Sequence, residues 1–308
     1  MKQVDESLHI NLNNRCNNNC IFCMENNLQN LPIFSKEKLC ALLKSGRKKT
    51  DGVLFTGPEP TSNEFLFDYI RFAKEIGYKK IRLVTNGRRL AYLKYAEDLL
   101  NSGVNEISVS LHGQNAKIHD ALTRTPGSFK QTIKGCKNLE KLIYKKPFKW
   151  YINITFTRIN SPHLLDLLKT ASSFKHIEGI VINVVIPQGR GLTFFNSLII
   201  NYANLAETFK AAITQLELNY KQRKLKKPSI TLLGIPFCLL RGYEEYVNNY
   251  EPILMNSGKI SLNIRKRRRY QRLFGVKCKY CKYFYICEGV WASYIRKHGW
   301  GEFIPIKE

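Results

Sequence analysis

The sequence predicts an α/β protein whose first two-thirds forms an open, partial (β/α)6 barrel of the TIM type. Short runs rich in β-branched residues alternate there with longer amphipathic segments, which predicts parallel strands connected by helices. The segments that combine cysteine or clustered polar residues follow predicted strands, and barrels of this kind place their functional residues on the loops after the strands. A change of pattern near residue 195 predicts a small C-terminal domain.

Six strands are predicted in the barrel. They are residues 8–13, 52–56, 80–85, 106–111, 151–157 and 179–186. Between some of them, in residues 65–76 and 129–139, apolar side chains recur at helical spacing.

The boundary divides the chain into residues 1–195, the barrel, and residues 196–308, the extension. In the extension we expect a helix over 202–226 and short strands over 229–233 and 259–264, because the apolar pattern changes period at these places.

Composition narrows the class of protein. The chain has 308 residues, 44% of them hydrophobic, which excludes a disordered or collagen-like chain. The first residues, MKQVDESLHI, lack the apolar run of a secretory signal. No apolar stretch approaches the roughly 20 residues that a membrane-spanning helix needs. We therefore expect a cytoplasmic protein without a membrane span.

The first cysteine cluster follows the first predicted strand and consists of Cys16, Cys20 and Cys23. In a chain without a secretory signal, cysteines point to metal ligation or redox chemistry rather than disulfides. Thiolates hold iron–sulfur clusters, and three of them leave one corner of a four-iron cluster open for another ligand. A zinc site with a distant fourth ligand is the alternative that this spacing leaves open.

A second cysteine cluster lies near the end of the chain. Cys278, Cys281 and Cys287 are close in sequence, and Cys238 stands alone upstream of them. Four thiolates can close an iron–sulfur cluster or a zinc site completely, and the spacing does not choose between the two.

Short polar or glycine-containing segments also lie at the ends of the later predicted strands. These segments are residues 56–60, 85–87, 108–113, 153–158 and 184–190. Asn and Ser side chains can both donate and accept hydrogen bonds, and Arg190 could reach a carboxylate. Each segment taken singly is also a common loop signal.

Together these motifs resemble the radical SAM superfamily over at least residues 8–191. The CxxxCxxC pattern of the first cysteine cluster matches the family motif, and Thr56-Gly57-Pro58-Glu59-Pro60 is similar to its GGEP segment, with Pro58 in place of the second Gly. The resemblance implies a 4Fe-4S cluster and S-adenosylmethionine (SAM). The residues that it implies for SAM binding are Phe22, Gly57, Glu59, Asn86, Ser110, Asn153, Arg158 and Val184.

The surroundings of the second cysteine cluster, residues 235–240 and 287–291, resemble the SPASM extension of that superfamily or its shorter relative, Twitch. The resemblance implies an auxiliary 4Fe-4S cluster. Its ligands would be Cys238, Cys278, Cys281 and Cys287. Four cysteines suffice for one auxiliary cluster, so the Twitch form is the better match.

The resemblance also implies an activity. Such an enzyme cleaves SAM reductively to a 5′-deoxyadenosyl radical, which abstracts hydrogen from a peptidyl or small-molecule substrate while the auxiliary cluster assists electron transfer. A flavodoxin or ferredoxin would be the electron donor. Because Cys16 is so near the start, we expect no leader-binding domain before it and a separate recognition protein for a peptide substrate.

Charge points to a second candidate substrate. The formal net charge is +25, and basic runs cover residues 221–227 and 265–272, which is the electrostatic footprint of a nucleic-acid binder or of solvated charged faces. Tyr270 could stack on a base. RNA modification by the same chemistry is therefore the alternative function. A third is a non-catalytic zinc protein that binds nucleic acid and makes no use of Glu59 or Asn86.

Overall fold

The computed structural model describes residues 7–24, 34–223, 227–248, 253–254 and 271–307. In these residues the main sheet consists of β1 (Ser7–Asn11), β2 (Gly52–Thr56), β3 (Lys80–Thr85), β4 (Glu106–Ser110), β5 (Lys149–Phe156), β6 (Gly179–Val184), β7 (Ser229–Leu233) and β8 (Ile253–Leu254). A second, antiparallel sheet consists of β9 (Arg272–Leu273) and β10 (Val290–Trp291).

All neighbouring strands of the main sheet are parallel, in the order β7-β6-β5-β4-β3-β2-β1-β8. The first seven strands are therefore neighbours in chain order, which is the connectivity of a (β/α) barrel. The predicted fold class, a partial barrel with a small C-terminal region, is confirmed.

The predicted strands 52–56 and 80–85 are observed at those bounds, and the other four barrel strands are shifted at their ends. Residues 229–233, assigned by sequence to the extension, form β7 and pair in parallel with β6. The main sheet thus continues beyond residue 195, and the domain boundary there stays a prediction. The predicted strand 259–264 lies outside the described residues.

Helices separate the strands. Those of the described residues are α1 (Lys36–Arg47), α2 (Leu66–Glu75), α3 (Leu93–Ser102), α4 (Ala116–Thr123), α5 (Ser128–Leu142), α6 (Leu164–Ser172), α7 (Arg190–Thr193), α8 (Phe195–Leu198), α9 (Tyr202–Arg223) and α10 (Ala292–His298). Within this part of the chain, none combines the length and apolar character that crossing a bilayer requires.

The two faces of the main sheet differ in polarity. A row of side chains paired in register and fully buried runs across β1 to β5: Ile10, Phe55, Leu83, Ile107 and Trp150. Alternate positions near the carboxyl ends point to the other face and are polar and half-buried: Asn11, Thr56, Ser110, Asn153, Thr155 and Asn183. A parallel sheet is normally apolar on both faces, so the polar row marks a face that lines a cavity.

The C-terminal helix α10 packs on helix α9 through aromatic and polar contacts. Tyr294 of α10 stacks on Tyr202 with ring centroids 4.3 Å apart, and its hydroxyl oxygen accepts a hydrogen bond from the Tyr202 amide at 2.9 Å. Inside the extension, Arg272 forms a buried ion pair with Glu288 at 3.1 Å and lies over the Trp291 ring. These contacts hold the C-terminal residues to α9 and to one another.

Helix α5 holds the loop that follows β3. Thr132 Oγ1 donates to the carbonyl oxygen of Asn86 at 2.9 Å, and Asn138 donates to the carbonyls of the short helix after that loop. Between them on the same face lies Gly135, where an added Cβ would stand 2.4 Å from the carbonyl oxygen of Gly87. The helix can approach the loop this closely only because residue 135 has no side chain.

We expect Gly135→Ala to destabilise the protein by about 1–3 kcal/mol, because the methyl group would push α5 from the loop. This loss exceeds the roughly 1 kcal/mol that Ala gains in helix propensity. Urea unfolding followed by circular dichroism measures it. Gly301→Ala is the matched control, since a Cβ there meets nothing within 4 Å. Equal unfolding midpoints for the two variants would contradict the close approach.

Candidate functional site

A cavity of about 370 Å³ lies at the carboxyl ends of β1 to β6. That volume suits a small molecule or cofactor. The three cysteines of the first cluster line it. So do Phe22, Gly57, Glu59, Asn86, Ser110, Asn153 and Val184. The fold therefore brings together most of the residues predicted from separate strand ends.

The first cysteine cluster lies on a loop that is tied to α4. The amides of Asn19 and Ile21 donate to the carbonyl oxygens of Thr123 and Leu122 at 3.0 and 2.9 Å. Within the loop, the Cys23 amide donates to the Cys20 carbonyl at 3.2 Å. These bonds turn the loop so that its three thiols reach the same cavity.

The thiols of this loop lie close enough to affect one another. Loss of surrounding water raises the pKa of Cys16 to about 11. Burial also raises the pKa of Cys20, and the nearby Cys16 and Cys23 thiols raise it further because neighbouring thiolates would repel each other. Without a metal Cys16 and Cys20 are therefore protonated at neutral pH, and metal binding would release their protons.

This donor set fits an iron–sulfur cluster. Soft thiolates select iron–sulfur clusters, zinc or copper, and three of them would leave one iron of a four-iron cluster without a protein ligand. Across the described ranges, no group of three or more His, Cys, Asp or Glu side chains is arranged so that it could hold a metal ion. The assignment of ligands therefore stays a prediction that rests on the shared cavity and the residue types.

Glu59 is buried and binds four donors of the protein itself. Its Oε1 accepts hydrogen bonds from the Thr61 amide, the Thr61 hydroxyl and the Thr85 hydroxyl at 3.0, 2.6 and 2.7 Å. Its Oε2 accepts from the Asn86 amide at 2.7 Å, and its carbonyl oxygen accepts from Asn13 at 2.8 Å. Glu59 thus joins the loops after β1, β2 and β3. The SAM contact predicted for it stays a prediction.

We expect Glu59→Gln to lower the free energy of unfolding by about 2 kcal/mol, because an amide NH2 would replace one acceptor oxygen and face a buried donor. Urea denaturation measures the change. Glu64→Gln is the control, since Glu64 is exposed. An unchanged midpoint for Glu59→Gln would show that these bonds do not hold the loops together.

Two other predicted residues shape the same end of the cavity. Gly57 has a φ of +112°, and a Cβ there would stand 2.1 Å from Asn11 Oδ1, so a side chain is excluded. The Asn86 amide group donates to Asn17 Oδ1 at 2.6 Å and lies 3.9 Å from the Cys16 sulfur. The structure therefore places Asn86 against the cysteine loop.

The opposite wall, from β4 to β6, is polar. Asn183, which sequence reasoning did not single out, donates to Asn153 Oδ1 at 2.6 Å. His112 Nδ1 accepts from the Thr155 amide at 3.0 Å, and burial holds the pKa of His112 well below its usual value. The ring is therefore neutral with its proton on Nε2. The alternation Ile182-Asn183-Val184 was the signal that could have found Asn183.

Arg158 does not line the cavity. The strand β5 ends before it, and its Nε donates to the carbonyl oxygen of Ile199 at 3.1 Å. The backbone turns there because the Asn160 side chain accepts from the Thr157 amide at 2.8 Å. This geometry gives no support to the SAM contact predicted for Arg158.

The second cysteine cluster surrounds its own small cavity of about 30 Å³, which is lined mostly by apolar side chains. Cys238 lies with Cys278, Cys281 and Cys287 in this lining. Burial raises the pKa of Cys238 to about 12, with further contributions from the other three thiols. Tyr283 stacks on Phe237, the residue before Cys238, with ring centroids 4.4 Å apart. The fold thus brings the distant cysteine to the other three.

A parallel sheet of neighbouring βα units with three thiols and a polar wall at its carboxyl edge is the architecture of an enzyme that handles a cofactor through a thiolate-bound metal centre. Residues 10–171, more than half of the chain, match the family model described as the Radical SAM superfamily. The chain belongs to the radical SAM superfamily. Membership implies a 4Fe-4S cluster and SAM as cofactors.

Curated relatives share part of this chain. An AdoMet-dependent heme synthase of Methanosarcina barkeri is 28% identical over 184 residues, 57% of this chain and 49% of the relative. A probable GTP 3′,8-cyclase of Sulfolobus acidocaldarius is 29% identical over 192 residues, 62% of this chain and 59% of the relative. The chain spans less than two thirds of the length of each of these curated relatives.

Solved structures share the fold over nearly the whole chain. Streptococcus suis SuiB bound to precursor peptide SuiA superposes with a TM-score of 0.69 at 18% identity, covering 98% of this chain and 75% of SuiB. The anSMEcpe structure with bound AdoMet and the Cp18Cys peptide gives 0.62 at 17% identity, covering 97% of this chain and 95% of that one. At these identities the likeness shows the fold alone.

Proposed function

We propose that the chain is a radical SAM enzyme that cleaves SAM reductively at a 4Fe-4S cluster on Cys16, Cys20 and Cys23, and then abstracts hydrogen from a peptidyl or small-molecule substrate. The observation that carries the proposal is the shared cavity, in which the three thiols face a polar wall. A bound cluster would supply one electron to SAM, and the chemistry that follows belongs to the cofactor.

In this proposal, the residues that line the cavity bind SAM and orient it. Ser110, Asn153, Asn183 and the Nε2–H of His112 offer donors and acceptors to the ribose, adenine and carboxylate of SAM. Phe22 packs its ring edge-on against His112, with centroids 4.8 Å apart, and narrows the cavity beside the last cysteine. Such a wall would hold a small molecule beside the three cysteines.

For the second cysteine cluster we propose an auxiliary 4Fe-4S cluster in a SPASM- or Twitch-like extension, covering residues 196–308. Four thiols in one apolar cavity support complete ligation, which suits electron transfer or structural support. It would take up or relay an electron after hydrogen abstraction, which makes the net reaction an oxidation. Zinc fits the same four thiols and is the alternative.

The substrate proposal draws on the named relatives. Two structural neighbours, SuiB and anSMEcpe, were solved with bound peptides, which supports a peptidyl substrate. The names of curated relatives, heme synthase and GTP 3′,8-cyclase, favour a small molecule. We propose a flavodoxin or ferredoxin as electron donor and a cytoplasmic location.

RNA remains the alternative substrate, and its support is the charge of +25. Arg272, the last residue of the second basic run, is buried in its ion pair with Glu288 and offers no charge to a surface. Lys227 of the first run donates to Glu217 and to the Tyr246 hydroxyl. The rest of the run 265–272 up to Tyr270 lies outside the described residues. The peptide or small-molecule proposal is therefore preferred.

The test is release of 5′-deoxyadenosine from anaerobically reconstituted, reduced protein incubated with SAM. Release well above a Cys16→Ala control is expected even without substrate, as slow uncoupled cleavage. Added total cellular RNA should leave the rate unchanged, and strong stimulation would favour the RNA alternative. No release from protein that carries its iron would refute the proposal.

A further inference from the structure

Arg190 lies directly against the first cysteine loop. It follows β6, and its Nη1 donates to the carbonyl oxygen of Cys20 at 3.1 Å, while its amide donates to the carbonyl oxygen of Cys23 at 3.0 Å. Side chain and backbone of one residue therefore grip both ends of the Cys20–Cys23 turn.

The next residue keeps this contact tight. A Cβ on Gly191 would lie 2.2 Å from the Ile186 carbonyl oxygen and 3.8 Å from the Phe22 carbonyl oxygen, so the backbone of residues 190–191 stands against both the end of β6 and the cysteine loop. This packing fixes the backbone of Arg190, and the hydrogen bond to the Cys20 carbonyl oxygen places its guanidinium.

Charge distinguishes Arg190 from the other residues of the cavity. Among the described residues that line it, Arg190 carries the one permanent cation. Glu59 is the one carboxylate of that lining, and both of its oxygens accept hydrogen bonds from the four donors named above. On the outer side of the loop, Arg88 donates to the Asn17 carbonyl and to Asn18 Oδ1 at 3.0 Å, but it does not line the cavity.

We infer that Arg190 is a positioning residue that clamps the cysteine loop and holds a fixed positive charge beside the cluster that Cys16, Cys20 and Cys23 would bind, raising its reduction potential. Adding an electron makes a cluster more negative, and a cation a few ångströms away in a partly buried site stabilises that form. The effect on the reduction potential rests on the proposed function, because it requires a bound cluster. The clamp on the cysteine loop does not, because it requires only the loop itself.

The test compares reconstituted wild type, Arg190→Gln, Arg190→Lys and Arg296→Gln. Arg296 is an exposed charge of the extension and controls for net charge. The reduced cluster is followed by electron paramagnetic resonance at set potentials, and the signal that SAM alters belongs to the first cluster. For Arg190→Gln the ratio of reduced to oxidised cluster at a given potential should fall about tenfold, a shift of about 59 mV. Arg190→Lys and Arg296→Gln should stay within about threefold of wild type.

The clamp is tested separately by amide hydrogen exchange of residues 19–23 in protein without iron. Arg190→Gln should speed exchange there at least about tenfold, with no change in Arg296→Gln. An unchanged potential and unchanged exchange in Arg190→Gln would overturn the inference. If Arg190→Gln takes up no iron, the Arg190→Lys variant tests the effect of the charge. A ratio of reduced to oxidised cluster near that of wild type would support that effect, and a tenfold change in the ratio would contradict it. Wild type with no reducible cluster would refute the proposed function and the effect on potential, leaving the clamp to the exchange experiment.

Discussion

Replacing Cys20 by alanine should abolish reductive cleavage of SAM, with at least about a thousandfold less 5′-deoxyadenosine than wild type. With two thiolates instead of three, the loop would lack one of the ligands that hold the cluster, and the cluster would be lost or left unable to bind SAM. Anaerobic incubation with SAM and dithionite, with the product separated by chromatography, measures the loss.

Cys40→Ala is the matched control for Cys20→Ala. Cys40 lies in α1, packs against the core and lines neither cysteine cavity, so its loss should leave cleavage within about twofold and cost only a small packing energy. Retained cleavage in Cys20→Ala would overturn the ligand assignment, and equal losses in both variants would trace the effect to folding.

Replacing Cys281 by alanine should separate the two clusters. We expect iron to fall from about eight to about four atoms per chain, with uncoupled SAM cleavage retained within about twofold. The reason is that the first cysteine loop is bonded to α4, Thr125 and Arg190, all of which precede the extension. Conversion of the true substrate should be lost, since the electron left after hydrogen abstraction would have no acceptor. Iron analysis and 5′-deoxyadenosine release measure the first two results.

The Cys238→Ala variant sharpens that experiment. If Cys238 is a ligand, its loss should lower iron content as Cys281→Ala does, whereas a merely buried thiol would leave the content unchanged. Wild-type protein with about one zinc and about four iron atoms would contradict the auxiliary iron–sulfur cluster and assign the four thiols to zinc.

The strands of the barrel could be predicted because each carries a local pattern. β2 and β3 are short β-branched runs between polar segments, and their bounds were predicted without error. The predicted strands 8–13 and 151–157 extend past the observed ends of β1 and β5, because a polar residue such as Asn13 or Thr157 continues the alternation after the pairing has stopped. β7 was predicted as a strand but not as a member of the main sheet, because the long helix α9 lies between it and β6 in the sequence.

The two cysteine groups were accessible to sequence for different reasons. Cys16, Cys20 and Cys23 stand within one loop, so spacing alone brings them together. Cys238 was uncertain because its flanking residues are apolar, and a buried thiol has the same surroundings as a ligand. Only the docking of the short helix Phe237–Leu239 on Tyr283 places it with the other three.

The sequence by itself determined the αβ alternation, the spacing of the cysteines and the residue types at the strand ends, because these are properties of short segments. Only the tertiary structure shows that the Glu59 carboxylate accepts hydrogen bonds from Thr61, Thr85 and Asn86. It also shows that Arg158 donates to the Ile199 carbonyl oxygen and does not line the cavity. It also decided that Arg190 grips the cysteine loop from a residue far along the chain. Hydrogen bonds between loops depend on how parallel strands align their ends, and no local pattern encodes that alignment.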